Sequence, residues 1–238
     1  MLARAEEELL TGLIDYAGLF PPASLSMEEA VRSYDSYRRG PYAWMLNRFI
    51  VPAARAHEVP VDFPLSVLGD APYEVIETKE IVEPNGRTVY VEGVPVSELA
   101  KRGLRAKIRT GGVTPDAFPS IDTIARFIRD CRDHHVIFKA TAGLHHPLRC
   151  VKPLTYEANA PAGTMHGFLN VFIAAAIPDR AEEVLMSNDF SIEGDAIRWR
   201  DVRLTHDDVV TMRRTGATSF GSCSFEEPIA DLKEMGWL

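Results

Sequence analysis

Residues 104–143 read LRAKIRTGGVTPDAFPSIDTIARFIRDCRDHHVIFKATAG, and this stretch decides the fold. Two short β-rich runs, Leu104–Arg109 and Val136–Thr141, each run into a small-residue turn, Thr110-Gly111-Gly112 and Thr141-Ala142-Gly143. Between them Ser120 stands at an N-cap position, and Ile121, Ile124, Ala125, Ile128 and Cys131 recur at helical spacing. Strand, helix and strand in that order predict one parallel βα unit.

Working outward, the same punctuation marks further strands at Arg48–Val51, Pro64–Leu68, Glu74–Glu77 and Thr88–Glu92, and a last one at Ser219–Phe225. Leu13–Tyr16 supplies a first strand, which brings the total to about eight, the number that closes a (β/α)8 TIM-like barrel. The alternative is an open doubly wound parallel sheet. Ser26 and Glu29 stand at capping-box spacing ahead of an apolar stripe of Met27, Ala30, Val31 and Tyr34, so a helix starts there. His166–Ile177 is apolar almost all round and reads as a buried helix. Phe190–Ile192 and Ala196–Trp199 flank Glu193-Gly194-Asp195 as a hairpin. Val59 to Glu92 leaves little room for helices, so the barrel is expected to be irregular there. No repeat, low-complexity tract or long linker divides residues 1–238, which predicts a single α/β barrel domain.

The bulk numbers narrow the function classes. Of the 238 residues, 46% are hydrophobic, enough for a full core, and the net charge of −8 argues against a nucleic-acid partner. The first residues, MLARAEEELLTGL, carry acids where a secretory signal has an apolar run. The longest apolar run, Phe168–Ile177, is broken by Asn170 and falls short of the ~20 residues that span a bilayer, so no membrane association is expected. Three sparse cysteines, Cys131, Cys150 and Cys223, form no disulfide framework and fit a reducing cytoplasm. The sequence is compatible with a homo-oligomer.

In a βα barrel the chemistry sits at the C-terminal strand ends, and strand alternation decides which side chains face inward. In Arg105-Ala106-Lys107-Ile108-Arg109 the small and apolar members suit the helix layer, so Lys107 and Arg109 point inward. The same rule turns Lys139 inward with Ile137 and Thr141, and Glu92 inward with Tyr90. Lys107, Arg109, Lys139 and Glu92 therefore converge on one mouth; strand-end charges in solvent are the plain alternative. An amine attacks a carbonyl only when neutral, and free lysine has a pKa near ~10.4. Neighbouring cations such as Lys139 and Arg109 would favour the neutral form of Lys107. The resulting iminium is an electron sink, and Glu92 would move the proton.

The stretch AKIRTGGVTPDAFPSIDTIARFIRDCRDHHVIFKATAGLHHP resembles part of the deoxyribose-phosphate aldolase family, with its two lysine-bearing strand ends one βα unit apart. The SFGSCSF block, residues 219–225, is similar to that family's final phosphate-binding turn. The resemblance implies a class I aldolase-like lyase in which Lys107 matches the Schiff-base lysine and Lys139 the lysine that lowers its pKa. Ile108-Arg109 and Ala142-Gly143 depart from the family's pattern, and Leu144-His145-His146 follows in place of its usual residues. The blocks DYAGLFPPA, KATAGLHHPLR and GSCSFEEP resemble an uncharacterised bacterial protein family, which implies no activity.

The expectation is thus a small anionic carbonyl substrate and no cofactor. Arg109, Thr141, His145, His166, Asn170, Ser222 and Ser224 are the candidate binding residues. His166 and Asn170 share a helix face as i and i+4. A metal-dependent hydrolase or lyase, with a divalent transition metal on His145 or His146 and His166, is the rival, and a non-catalytic anion-binding barrel is the third reading. Cys223 shares a face with Gly221 and Phe225 and reads as core, although a nucleophile there is an alternative. Ser224 and Glu227 match a capping box, whose helix start would offer N–H groups to an anion. Asp15, before Gly18 and Pro21-Pro22, reads equally as a mouth residue or a turn former.

Overall fold

A computed structural model describes residues 3–238. Eight parallel strands close a barrel: β1 (Ile14–Tyr16), β2 (Leu46–Pro52), β3 (Leu65–Leu68), β4 (Val75–Thr78), β5 (Thr88–Glu92), β6 (Arg105–Arg109), β7 (Phe138–Thr141) and β8 (Ala217–Ser222). Each strand pairs with its sequence neighbours, and β1 closes the ring by pairing with both β2 and β8. That closure rules out the open doubly wound sheet and makes the fold a TIM-like (β/α)8 barrel. No helix of the described residues is long and apolar enough to cross a membrane.

The helices are α1 (Arg4–Leu10), α2 (Met27–Tyr37), α3 (Val96–Lys101), α4 (Ile121–Asp133), α5 (Phe168–Ala176), α6 (Ala181–Met186), α7 (His206–Thr215) and α8 (Glu226–Glu234). Of the three caps read from sequence two are present, the Ser26 side chain accepting the Glu29 N–H and the Ser120 side chain the Thr123 N–H. In contrast, α8 has Phe225 at its N-cap and the Glu227 carboxylate goes to His145, so the Ser224–Glu227 box is not formed. The irregular side also lies where expected. Residues 53–58 form only a 3-10 turn, and β3, β4 and β5 follow one another with no α-helix between them.

Helices cover the other side. Phe168 of α5 stacks on Phe220 of β8 with ring centroids 5.0 Å apart, and α2 seats Tyr34 against Tyr16, Phe49 and Phe63. These rings are all buried. Truncating one such aromatic to alanine costs about 3–5 kcal/mol, so this wall is where the barrel gains much of its stability.

Some elements differ from the sequence reading. α1 was not anticipated, nor was the antiparallel hairpin of Cys150–Pro153 and Ala162–Met165 in the segment after β7. The Phe190–Glu193 and Ala196–Trp199 hairpin is present and gains a third strand, Val202–Leu204. The last barrel strand ends at Ser222 rather than Phe225, because the Ser224 hydroxyl accepts the Glu227 N–H and the chain turns into α8.

Candidate functional site

Inside the barrel, alternation brings together six ionisable side chains from five strands. Lys139 Nζ of β7 lies 2.5 Å from Asp15 Oδ2 of β1 and 2.6 Å from Glu77 Oε1 of β4. Lys107 Nζ of β6 lies 2.8 Å from the other oxygen of Glu77 and 3.3 Å from Glu92 Oε2 of β5. Arg109 Nε completes the chain at 3.1 Å from Glu92 Oε1. Strand register sets this up, since Glu92 pairs with Lys107 and Lys107 with Lys139 across adjacent strands. Three cations thus alternate with three carboxylates, and Glu77 bridges the two lysines.

Further hydrogen bonds satisfy the carboxylates. Asp15 accepts from Ser219 Oγ at 2.7 Å, Asn47 Nδ2 at 2.7 Å and the Arg48 N–H at 3.1 Å, and Glu77 accepts from Ser66 Oγ at 2.7 Å. Burial alone would drive Lys139 toward neutrality, but Asp15 and Glu77 outweigh it and hold its pKa above the ordinary lysine value. Burial would likewise raise Glu77, yet Lys139 and Lys107 hold it well below the usual carboxylate range. Glu92 is lowered too, as Lys107 and Arg109 overcome its desolvation.

The cluster floors a cavity of about 280 Å³ at the C-terminal mouth of the barrel, lined by Glu77, Lys107, Arg109, Thr141, His145 and Cys223 among others. Lys139 is not part of its wall and is only 1% exposed, so the two lysines differ in access. The loops after β6 and β7 are locked together at the rim. Thr110 Oγ1 donates to the Ala142 carbonyl at 2.6 Å, and the Thr110 N–H donates to the Thr141 carbonyl at 2.9 Å. A Cβ on Gly143, which has a φ of +76°, would come within 2.7 Å of the Gly111 Cα, so the small turn residues read from sequence permit this contact.

A second polar group stands at the rim, between the loop after β7 and the start of α8. His145 Nδ1 is 2.8 Å from Glu227 Oε2 of α8, and His145 Nε2 is 3.8 Å from Cys223 Sγ. Tyr156, carried by the unanticipated hairpin, donates to Glu227 Oε2 at 3.2 Å and lies 3.9 Å from Cys223 Sγ. Burial disfavours the charged ring, but Cys223 and Glu227 overcome it and push His145 up to about 9.

Other candidates lie elsewhere. Asn170 is wholly buried, accepts the Arg149 N–H and donates to the Val184 and Ser187 carbonyls, so it ties backbone together and does not reach the cavity. His166 donates Nε2 to the Pro119 carbonyl at 2.9 Å and is likewise absent from the cavity wall; burial lowers its pKa. The helix expected from His166 starts only at Phe168, so His166 lies outside α5 and does not share a helix face with Asn170. Ser222 and Ser224 also miss the cavity. Ser222 Oγ accepts the Ser224 N–H at 3.3 Å and Ser224 Oγ accepts the Glu227 N–H at 3.1 Å, so the turn spends these groups on itself.

The three metal candidates are dispersed. His145 goes to Glu227, His146 to Asp231 at 2.5 Å and His166 to a backbone carbonyl. Among the described residues no group of three or more His, Cys, Asp or Glu is arranged to hold a metal ion.

Sequence reasoning missed Glu77, which the alternation rule applied to β4 would have turned inward as it did Glu92. It left Asp15 undecided, and it read Cys223 as core, where the residue is indeed buried while also lining the cavity. Comparison with family models, with curated proteins and with solved structures gave no match.

Proposed function

We propose that the barrel is an aldolase-like lyase in which Lys107 forms a Schiff base with a small anionic carbonyl compound. One observation carries this reading: of two lysines bridged by Glu77 inside the barrel, only Lys107 reaches the cavity. A bound carbonyl meets an amine whose proton has a carboxylate, Glu92, 3.3 Å away to receive it.

Lys107, once deprotonated, attacks the carbonyl carbon, and loss of water gives the iminium. The iminium accepts the electron pair of the bond between its α- and β-carbons as the β-hydroxyl gives its proton to Glu92 and that fragment leaves as an aldehyde. Glu92 then returns the proton to the α-carbon of the enamine, and water hydrolyses the resulting iminium to free Lys107. Lys139 keeps its charge throughout because Asp15 and Glu77 hold it. Arg109, half exposed at the rim, retains N–H donors beyond its contact with Glu92 and suits an anionic substituent. Thr141 adds a hydroxyl to the same wall.

Borohydride reduction in the presence of a panel of small aldehydes, ketones and keto acids tests the reading. The expected result is a stable adduct that mass spectrometry places on Lys107 and that Lys107→Met removes. An adduct on Lys139 would reverse the two roles. Binding of small anions without any adduct, retained in Lys107→Arg, would instead leave a non-catalytic anion-binding barrel, since a guanidinium keeps its proton at accessible pH.

A further inference from the structure

The rim group has the parts of a nucleophile relay. A carboxylate only accepts, so His145 Nδ1 donates to Glu227, which fixes the ring and turns Nε2 toward the Cys223 thiol 3.8 Å away. Glu227 is itself positioned by Tyr156. Cys223 is one of three free thiols, and it is the one whose residue lines the cavity. Cys131 is buried in the core under α4, and Cys150 stands at the start of the hairpin. An unreactive core cysteine has apolar neighbours; this one has an imidazole, a phenol and a carboxylate within one hydrogen-bonded group.

We infer that Cys223, His145 and Glu227 form a thiol nucleophile that adds to a small aldehyde bound in the cavity. The ligand class follows from the walls: a carbonyl carbon is the centre that an amine and a thiol both attack reversibly, and this cavity presents Lys107 and Cys223 together. In the step, Sγ bonds to the carbonyl carbon and the π pair moves onto the oxygen, which takes the proton already on His145 Nε2; the thiol proton replaces it on Nε2. The product is a hemithioacetal. Nothing is oxidised or reduced, and no group leaves. Glu227 is a positioning residue in this scheme, since it acts through His145.

The inference does not depend on an imine at Lys107, and its test is run in Lys107→Met protein so that this route is closed. Iodoacetamide labelling at neutral pH, read cysteine by cysteine by mass spectrometry, should modify Cys223 at least about tenfold faster than Cys150. His145→Gln and Glu227→Gln should each slow Cys223 by a similar factor while Cys150, the internal control for folding, keeps its rate. Glycolaldehyde should protect Cys223 and not Cys150, and ethylene glycol at the same concentration should protect neither. Cys223 labelling no faster than Cys150, or unchanged in His145→Gln, would overturn the relay. Equal protection by the aldehyde and the diol would overturn the ligand class, as would turnover of p-nitrophenyl acetate that is lost in Cys223→Ser, which would point to an acyl group. Cys223→Ser in otherwise unaltered protein should still give the borohydride adduct on Lys107, so the two sites fail separately.

Discussion

The floor and the rim of the cavity use similar chemistry under different burial. At the floor, Lys139, Asp15 and Glu77 are at most 2% exposed, and their charges are held by one another. At the rim, the Glu227 side chain is 34% exposed and solvent shares in its solvation. Removing one partner from a buried pair strands the other charge in low dielectric, whereas at a wetter site water fills in. The floor is therefore a fixed electrostatic scaffold, and the rim is where protonation changes as pH rises toward about 9.

The largest test of that difference is Glu77→Ala. It leaves Lys139 with one carboxylate and Lys107 with a weaker partner, and urea denaturation at pH 7 should show a loss of about 3–5 kcal/mol. Glu227→Gln should cost about 1 kcal/mol in the same assay. Equal losses would erase the distinction between floor and rim.

The pH dependence sharpens it. Glu77 and Glu92 are depressed, so their stabilisation is present above the ordinary carboxylate range and is lost as pH falls through their folded values. Lys139 is raised, so its contribution is complete below the ordinary lysine value and is lost only at still higher pH. Across neutral pH the floor should be flat. His145, raised from 6.5 to about 9, contributes fully below pH 6.5 and loses its contribution as pH rises through about 9. Stability should fall by roughly 2–3 kcal/mol over that window, and His145→Gln should flatten the slope. An unchanged slope in the variant would place the titration elsewhere.

Asn170→Ala gives a smaller effect of another kind. The buried amide holds one N–H and two carbonyls, so its removal should cost about 2 kcal/mol of stability. The Lys107 adduct should form at its normal rate. A loss of adduct formation larger than the loss of stability explains would return Asn170 to the site. Gly143→Ala is smaller again than Asn170→Ala: the added methyl meets Gly111 and Phe118, and a left-handed φ is disfavoured for alanine, at a cost of about 1–2 kcal/mol read from the thermal midpoint.

Much of the barrel was legible because its signals are local. Alternation within β5, β6 and β7 turned Glu92, Lys107 and Lys139 inward, and the same rule was available for Glu77. The rim was not legible. His145 and Glu227 are 82 positions apart, and Cys223 and His145 are 78 apart, so no spacing in the chain announces their contact. Tyr156 arrives on a hairpin whose strands, Cys150–Pro153 and Ala162–Met165, lack a clear apolar alternation. His166 and Asn170 misled for the opposite reason: a polar pair four residues apart in an apolar run looks like a ligand face, but the helix starts at Phe168, and backbone at Pro119, Arg149, Val184 and Ser187 takes up His166 Nε2 and the Asn170 amide.

The closure of the ring by β1 has a consequence for how the chain folds. Asp15 meets Lys139 across 124 positions and Ser219 across 204. Until residues 217–222 arrive, β1 has no neighbour on one side and Lys139 has no sealed interior. The charged centre is thus among the last parts of the molecule to leave water, and contacts this distant in sequence make for slow folding. A nascent chain lacking β8 would carry Asp15 and Lys139 on two open, hydrated strand edges.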